Sequence, residues 1–129
     1  MAGSVTVTYS SKATPKGNRI KVVNIAWTAD AAAATVPDTT LTGLYGHLVK
    51  AITNPGATAP TDNYDIKLLD PEESTADAAN GALVDRDTAN TESVFPTVPP
   101  LLCGDYTFNL TNNAVNSATG VCILFIEEN

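Results

Sequence analysis

The sequence predicts an all-β protein, an antiparallel β-sandwich or jelly roll that spans residues 1–129 as a single domain. Three observations support this prediction. Apolar residues alternate with polar ones over several short segments, turn-forming residues separate these segments, and no long helical periodicity occurs. A chain of this length can bury about two thirds of the surface that it exposes when unfolded. It therefore needs neither a metal ion nor a disulfide in order to fold.

Two strands are predicted near the N-terminus. Residues 5–9 alternate valine and tyrosine with threonine, which is the pattern of a half-buried strand rich in β-forming residues. Residues 20–27 carry apolar side chains on both faces, which indicates a strand with a bulge or with apolar contacts on either side. Residues 30–40 combine four alanines with threonines and a proline and are too short for a stable helix, so we expect a connection there.

The central stretch, residues 43–69, is the part around which we expect the fold to be organised. It consists of two extended segments that are joined by a loop rich in proline and glycine at residues 54–60. The first segment has apolar residues on both faces. This pattern suits a strand that is covered by a second sheet on one side and by a loop or a partner on the other.

The C-terminal half combines an irregular arm with two strands. Residues 70–97 are long for an unstructured connection, so we expect an Ω-like loop or a functional arm. Residues 106–110 alternate aromatic or leucine side chains with polar ones, whereas residues 121–128 form a nearly continuous apolar run, typical of a strand buried on both faces. We predict that these two strands form a hairpin around a turn at residues 112–120.

The charge of the chain disfavours nucleic acid as a general partner. Fourteen acidic and seven basic residues give a net charge of -7, which opposes binding to a polyanion. Residues 1–60 contain five basic and two acidic side chains and residues 61–129 contain two basic and twelve acidic ones, so the two parts carry +3 and -10. Such a division can steer one surface towards a partner of opposite charge. The simpler interpretation is that both sets occupy scattered solvated positions.

The sequence also indicates where the protein resides. The N-terminus lacks the basic and apolar regions of a secretory signal, and no apolar run approaches the length of a membrane span. We therefore expect a protein that is made in the cytosol and has no membrane partner. Thiols stay reduced there, so Cys103 and Cys122 are expected to be buried reduced cysteines, with a disulfide between neighbouring strands as the alternative.

No residue pattern indicates an enzyme, a cofactor or a metal site. The one histidine, His47, lies in a strand pattern without a nucleophile motif around it. The acidic residues Asp85, Asp87 and Glu92 do not have the spacing of a calcium loop. We expect Asp87 to bond backbone amides in a turn and Arg86 to pair with an acidic neighbour. We therefore predict no catalytic, cofactor-binding or metal-binding residue.

Three segments carry a resemblance to a known group of proteins: WTADAA, LVKAITNPGATAPTDNYDIKLLD and GALVDRDTANTE. With them the chain resembles the small β-sandwich virion proteins of tailed bacteriophages, which include capsid cement or decoration proteins. The resemblance implies a homo-oligomer, a dimer or trimer, that binds across subunits of the major capsid protein and stabilises the shell. It also implies assembly into a virion in the host cytoplasm, without direct contact to nucleic acid.

Six residues are candidates for the interface with such a partner. We expect three of them on an outward strand face and three in the arm at residues 70–97, which could reach across a subunit boundary. The N-terminal strand could also add to the edge of a partner's sheet. Core packing is the alternative for each residue, and a tail or neck component or a small carbohydrate or cell-surface binding module is the alternative for the function. The candidates are Trp27, Tyr45, His47, Pro71, Arg86 and Phe95.

Overall fold

The computed structural model describes residues 2–128, and these residues form an antiparallel sheet of seven strands. The order across the sheet is β1-β2-β7-β3-β6-β4, with β5 paired to β3 as well. The predicted all-β antiparallel fold is confirmed, while the division into a sandwich or jelly roll stays a prediction. Residues 2–128 contain no helix with the length and apolarity of a membrane span. The strands are β1 (Ser4–Ala13), β2 (Arg19–Thr28), β3 (Thr39–Pro55), β4 (Asp65–Leu69), β5 (Glu92–Val94), β6 (Leu101–Thr111) and β7 (Thr119–Glu128).

Strand β3 connects the two parts of the sheet. Its residues 39–47 pair with β6, its residues 47–55 pair with β7, and β5 pairs with residues 51–53. The register shifts between Leu41 and Leu44 and again between Leu48 and Lys50, so the strand has irregularities on either side of its centre. The two extended segments predicted for residues 43–69 are thus found as β3 and β4, with β3 inside the sheet and β4 at its edge.

The predicted hairpin of the last two strands is wrong. Strand β6 pairs with β3 and β4, strand β7 pairs with β2 and β3, and β3 therefore lies between them. The physical reason is the apolar run of β7, which gains a hydrogen-bonded neighbour on each edge in this position. Residues 112–118 consequently carry the chain past β3 instead of closing a tight turn.

The core lies against one face of the sheet. Every second residue is buried from Val23 onwards on β2 and from Gly120 to Ile126 on β7, including Ile25, Trp27 and Leu124. The residues between them on β7 are only partly buried, so the prediction that this strand is buried on both faces is wrong for its outer face. Strand β2 pairs with both neighbours without a register shift, so its two-sided apolarity reflects contacts on both faces and not a bulge.

The arm at residues 70–97 packs along the free edge of β4. The amide of Ile66 donates to the carbonyl of Leu83 at 3.0 Å, and the amide of Ala78 donates to the carbonyl of Leu68 at 2.7 Å. The Asp77 carboxylate accepts hydrogen bonds from three backbone amides, among them that of Leu68 at 3.1 Å. The arm is therefore held to the sheet by main-chain hydrogen bonds, and it covers the β4 edge.

Candidate interaction surface

Large hydrophobic side chains are exposed mainly in one region of the described part of the chain. Tyr45, Phe95, Val98 and Leu101 are 56%, 67%, 79% and 67% exposed. They lie near the point on β3 where its pairing with β6 ends and its pairing with β7 begins. Two charged or titratable residues and one more aromatic ring lie in the same region. We call this surface the outer patch. It consists of Tyr45, His47, Lys50, Phe95, Val98, Leu101 and Phe125.

Alternation along β3 and β6 builds the first part of the outer patch. Leu44 and Leu48 are fully buried, so Tyr45 and His47, which lie between them, point away from the core. His47 is opposite Leu101 in the antiparallel register. The side chains of these neighbouring strands therefore share the outer face.

Gly46 allows β7 to approach β3 at this point. Its φ is +144°, and a Cβ atom there would collide with the carbonyl oxygen of Glu127 and lie 2.9 Å from its carbonyl carbon. Only glycine fits such a close backbone approach. The glycine between Tyr45 and His47 thus lets the end of β7 pair closely with β3 next to the outer patch.

The segment between β5 and β6 adds the second part of the outer patch. Val94 pairs with Ala51 of β3, and the amide of Leu48 donates to the carbonyl of Pro100 at 3.0 Å. Phe95, next to Val94, is therefore held alongside β3, and Val98 lies in the loop that leads from it to Leu101. Rigid placement of this kind lowers the entropy that a contact residue loses on binding.

Lys50 joins the aromatic members of the outer patch. Its Nζ lies 5.7 Å from the centroid of the Phe95 ring and 5.3 Å from that of the Phe125 ring. Both distances fall within the range of cation–π attraction. The ammonium group thus lies near two aromatic rings, where it can meet a carboxylate or a carbonyl of a partner.

The chain matches no family model, no curated protein and no solved structure. We therefore base the assignment of a function on the outer patch and on the resemblance of the three sequence segments. Half of the six candidates from the sequence, Tyr45, His47 and Phe95, lie together in the outer patch.

The other three candidates lie elsewhere. Trp27 is 2% exposed, with its ring centroid 5.8 Å from that of Tyr64, so it belongs to the core and not to an outward face. Arg86 donates two hydrogen bonds to the Val84 carbonyl and lies 3.4 Å from Glu92, which holds it within the arm. Pro71 is exposed at the start of the arm, outside the outer patch.

Four members of the outer patch were missed by the sequence reasoning. Leu101 precedes the buried Leu102, so the alternation of β6 could have identified it as outward-facing. Phe125 could have been found in the same way between the buried Leu124 and Ile126. No sequence signal brings Lys50 and Val98 to this surface, because their places depend on the pairing of β3 with β7 and on the path of the chain after β5.

The acidic residues of the arm form turns. Asp87 Oδ1 accepts hydrogen bonds from the amides of Ala89 and Asn90, at 2.6 and 3.1 Å, and these bonds lower the pKa of Asp87. Arg86 pairs with Glu92. Both contacts confirm the structural roles predicted for these side chains. In residues 2–128 no group of three or more histidine, cysteine or acidic side chains could hold a metal ion.

Both cysteines are free. Cys103 is exposed beside the outer patch, opposite Tyr45, whereas Cys122 lies fully buried on the core face of β7. The expectation of two buried thiols is wrong for Cys103, and the two side chains lie on opposite faces of the sheet, which opposes the alternative of a disulfide between them. Burial raises the pKa of Cys122 to about 12, so this thiol stays protonated and unreactive at neutral pH.

Proposed function

We propose that this protein is a non-enzymatic structural component of a phage virion, a capsid cement or decoration protein. It binds across subunits of the major capsid protein and stabilises the shell. The outer patch is the observation that carries the proposal, because it offers exposed aromatic and aliphatic side chains on the sheet and in the loop beside it. The resemblance of the three sequence segments supports the capsid as the partner.

The composition of the outer patch suits a protein partner. Contact surfaces between proteins are enriched in aromatic side chains at their centre, and a few such residues supply most of the binding energy. Tyr45, Phe95 and Phe125 are aromatic, and Lys50 lies between two of these rings. A partner that covers this surface gains apolar contacts and at the same time finds one positive charge in a fixed position.

The number of copies per particle tests this proposal. Quantitative mass spectrometry of virions from the phage that encodes the chain should find it in a fixed ratio to the major capsid protein, because a cement protein occupies repeated sites over the shell. A few copies per particle would instead indicate a tail or neck component, which binds a single ring. Absence from the virion would contradict the proposal.

A further inference from the structure

The sheet has two edges, and only one of them is covered. The arm hydrogen-bonds to β4, as described above, and so covers that edge. At the other edge, β1 pairs with β2 alone in the part of the chain that the structure describes. The outward N–H and C=O groups of β1 are therefore available to another strand.

Strand β1 lacks the features that usually protect an edge. It is ten residues long, it contains no proline, and its register with β2 runs from Ser4 opposite Thr28 to Ala13 opposite Arg19 without a bulge. Lys12 is its only charged residue. Short strands, prolines, bulges and several charges are the common ways to prevent edge pairing. Their absence here makes β1 suited to receive a strand.

We propose that β1 pairs with β1 of a second copy of this chain, antiparallel about a two-fold axis at Thr8. The two sheets then join into one continuous sheet. In this register Thr8 faces Thr8 of the second copy and Thr6 faces Ser10, while Val7 faces Tyr9 on the core side. Pairs of threonine, serine and β-branched or aromatic side chains stabilise neighbouring strands. The contact is self-complementary, as a two-fold interface requires.

The charges favour a second copy in this orientation. Lys12, Lys16 and Arg19 lie at or near one end of β1, whereas Asp30 lies at the other end, where its amide is 3.1 Å from the position of a Cβ on Gly3. Antiparallel pairing brings the basic end of each copy towards Asp30 of the other. Parallel pairing in register would place Lys12 beside Lys12, which is unfavourable.

Crosslinking of purified protein tests this pairing, and it does so independently of the proposed capsid role. We would replace the exposed native thiol by Cys103→Ser and then introduce Thr8→Cys, which brings two thiols face to face across the axis. Mild oxidation should give a covalent dimer. The matched control is Thr6→Cys on the same exposed face, whose thiols would lie about 14 Å apart and should not crosslink.

Light scattering of the unmodified protein supplies the mass, and circular dichroism verifies that each variant is folded. A dimer that crosslinks through Thr8→Cys and not through Thr6→Cys supports the proposal. A monomer at all concentrations, a trimer, or a folded dimer that fails to crosslink through Thr8→Cys would overturn it.

A charge swap at the axis provides a second test. Thr8→Lys places two lysines face to face and should weaken the dimer about two- to five-fold. Ser10→Lys adds the same charge opposite Thr6 and should change the dimer less. Mixing Thr8→Lys with Thr8→Glu chains should restore association as a heterodimer. Equal effects of the two lysine variants would contradict the proposed register.

Discussion

At the scale of single residues, Gly120 shows how closely the core is packed. It lies opposite Trp27 in the register of β2 and β7, and a Cβ atom on Gly120 would lie 2.7 Å from Cε2 of the indole ring. The ring therefore occupies the space that any other residue would fill. Gly120 is the second residue of β7, and the neighbour's side chain, not a turn, explains why glycine stands there.

We predict that Gly120→Ala destabilises the protein by about 1–3 kcal/mol, because the added methyl group forces the Trp27 ring out of its position. Urea denaturation measures the change in the free energy of unfolding. The Trp27→Leu variant supplies the control, since its smaller side chain leaves room for the methyl group and should reduce the cost of Gly120→Ala. An equal cost in both backgrounds would show that the indole ring is not the cause.

The buried thiol of Cys122 predicts a loss of stability at alkaline pH. Its pKa is raised from 9.0 to about 12 by burial, so between these values the unfolded chain releases a proton that the folded chain keeps. The contribution of the protonated thiol to the free energy of unfolding is complete below pH 9 and is lost as the pH rises towards 12. Tyr64 acts in the same direction, because burial raises its pKa to about 12 from 10.0.

The thiol contribution can be isolated by comparing the two cysteines. Between pH 8 and pH 10 the Cys122→Ala variant should lose about 1 kcal/mol less stability than the unmodified protein. Cys103→Ala, which removes an exposed thiol, is the matched control variant. Urea midpoints at the two pH values measure the difference. If Cys122→Ala declines as steeply as the unmodified protein, burial of this thiol does not cause the effect.

At the scale of elements, local sequence patterns identified strands but not their neighbours. The alternation in residues 5–9 and 106–110 and the apolar run in residues 121–128 all lie within observed strands. Pairing depends on contacts between distant parts of the chain, so the position of β3 between β6 and β7 could not be inferred from either strand alone. Strand β5 has only three residues, which are too few to show an alternation from which a strand could be predicted.

One carboxylate adds to the main-chain hydrogen bonds that hold the arm against β4. Asp77 Oδ1 accepts from the amides of Leu68 and Ala79, at 3.1 and 3.0 Å, and Oδ2 accepts from that of Gly81 at 3.0 Å. We predict that Asp77→Ala costs about 1–3 kcal/mol, because three amides lose their acceptor. Asp77→Asn keeps the carbonyl oxygen and should cost less.

Hydrogen exchange at the Leu68 amide measures this effect at the arm itself, and urea denaturation measures it for the whole protein. The control is Glu72→Ala, which removes an exposed carboxylate from the same arm and should change neither. Unaltered exchange at Leu68 in Asp77→Ala would mean that the carboxylate does not hold the arm to the sheet.

At the scale of the whole molecule, the two proposed contact regions lie on different parts of the sheet. Strands β2 and β7 separate the free edge of β1 from β3, on which the outer patch is centred. Pairing of β1 with β1 would therefore leave both outer patches free. At the usual spacing of strands they would be separated by about 34 Å across the joined sheet, in addition to an offset along the strands, so a dimer could bind two sites at once.

The candidate surface was only partly predictable, because the pairing of distant strands decides which residues share a face. Alternation in the sequence indicated that Tyr45 and His47 share an outward face, and the arm was expected to contribute Phe95. Trp27 is of a residue type that is common in contact surfaces, but its ring packs over Gly120 and is buried in the core. Such a choice between core and surface is made by the paired strands and not by the residue type.

Sedimentation of the protein with assembled shells that lack it tests most directly whether the outer patch binds the capsid. We predict that Leu101→Asp, which puts a charge into the outer patch, weakens binding at least about ten-fold. Thr40→Asp, an exposed position on the same strand as Tyr45 but outside the patch, should bind like the unmodified protein. Equal binding of the two variants, or no binding of the unmodified protein, would contradict the assignment of the outer patch as the capsid-binding surface.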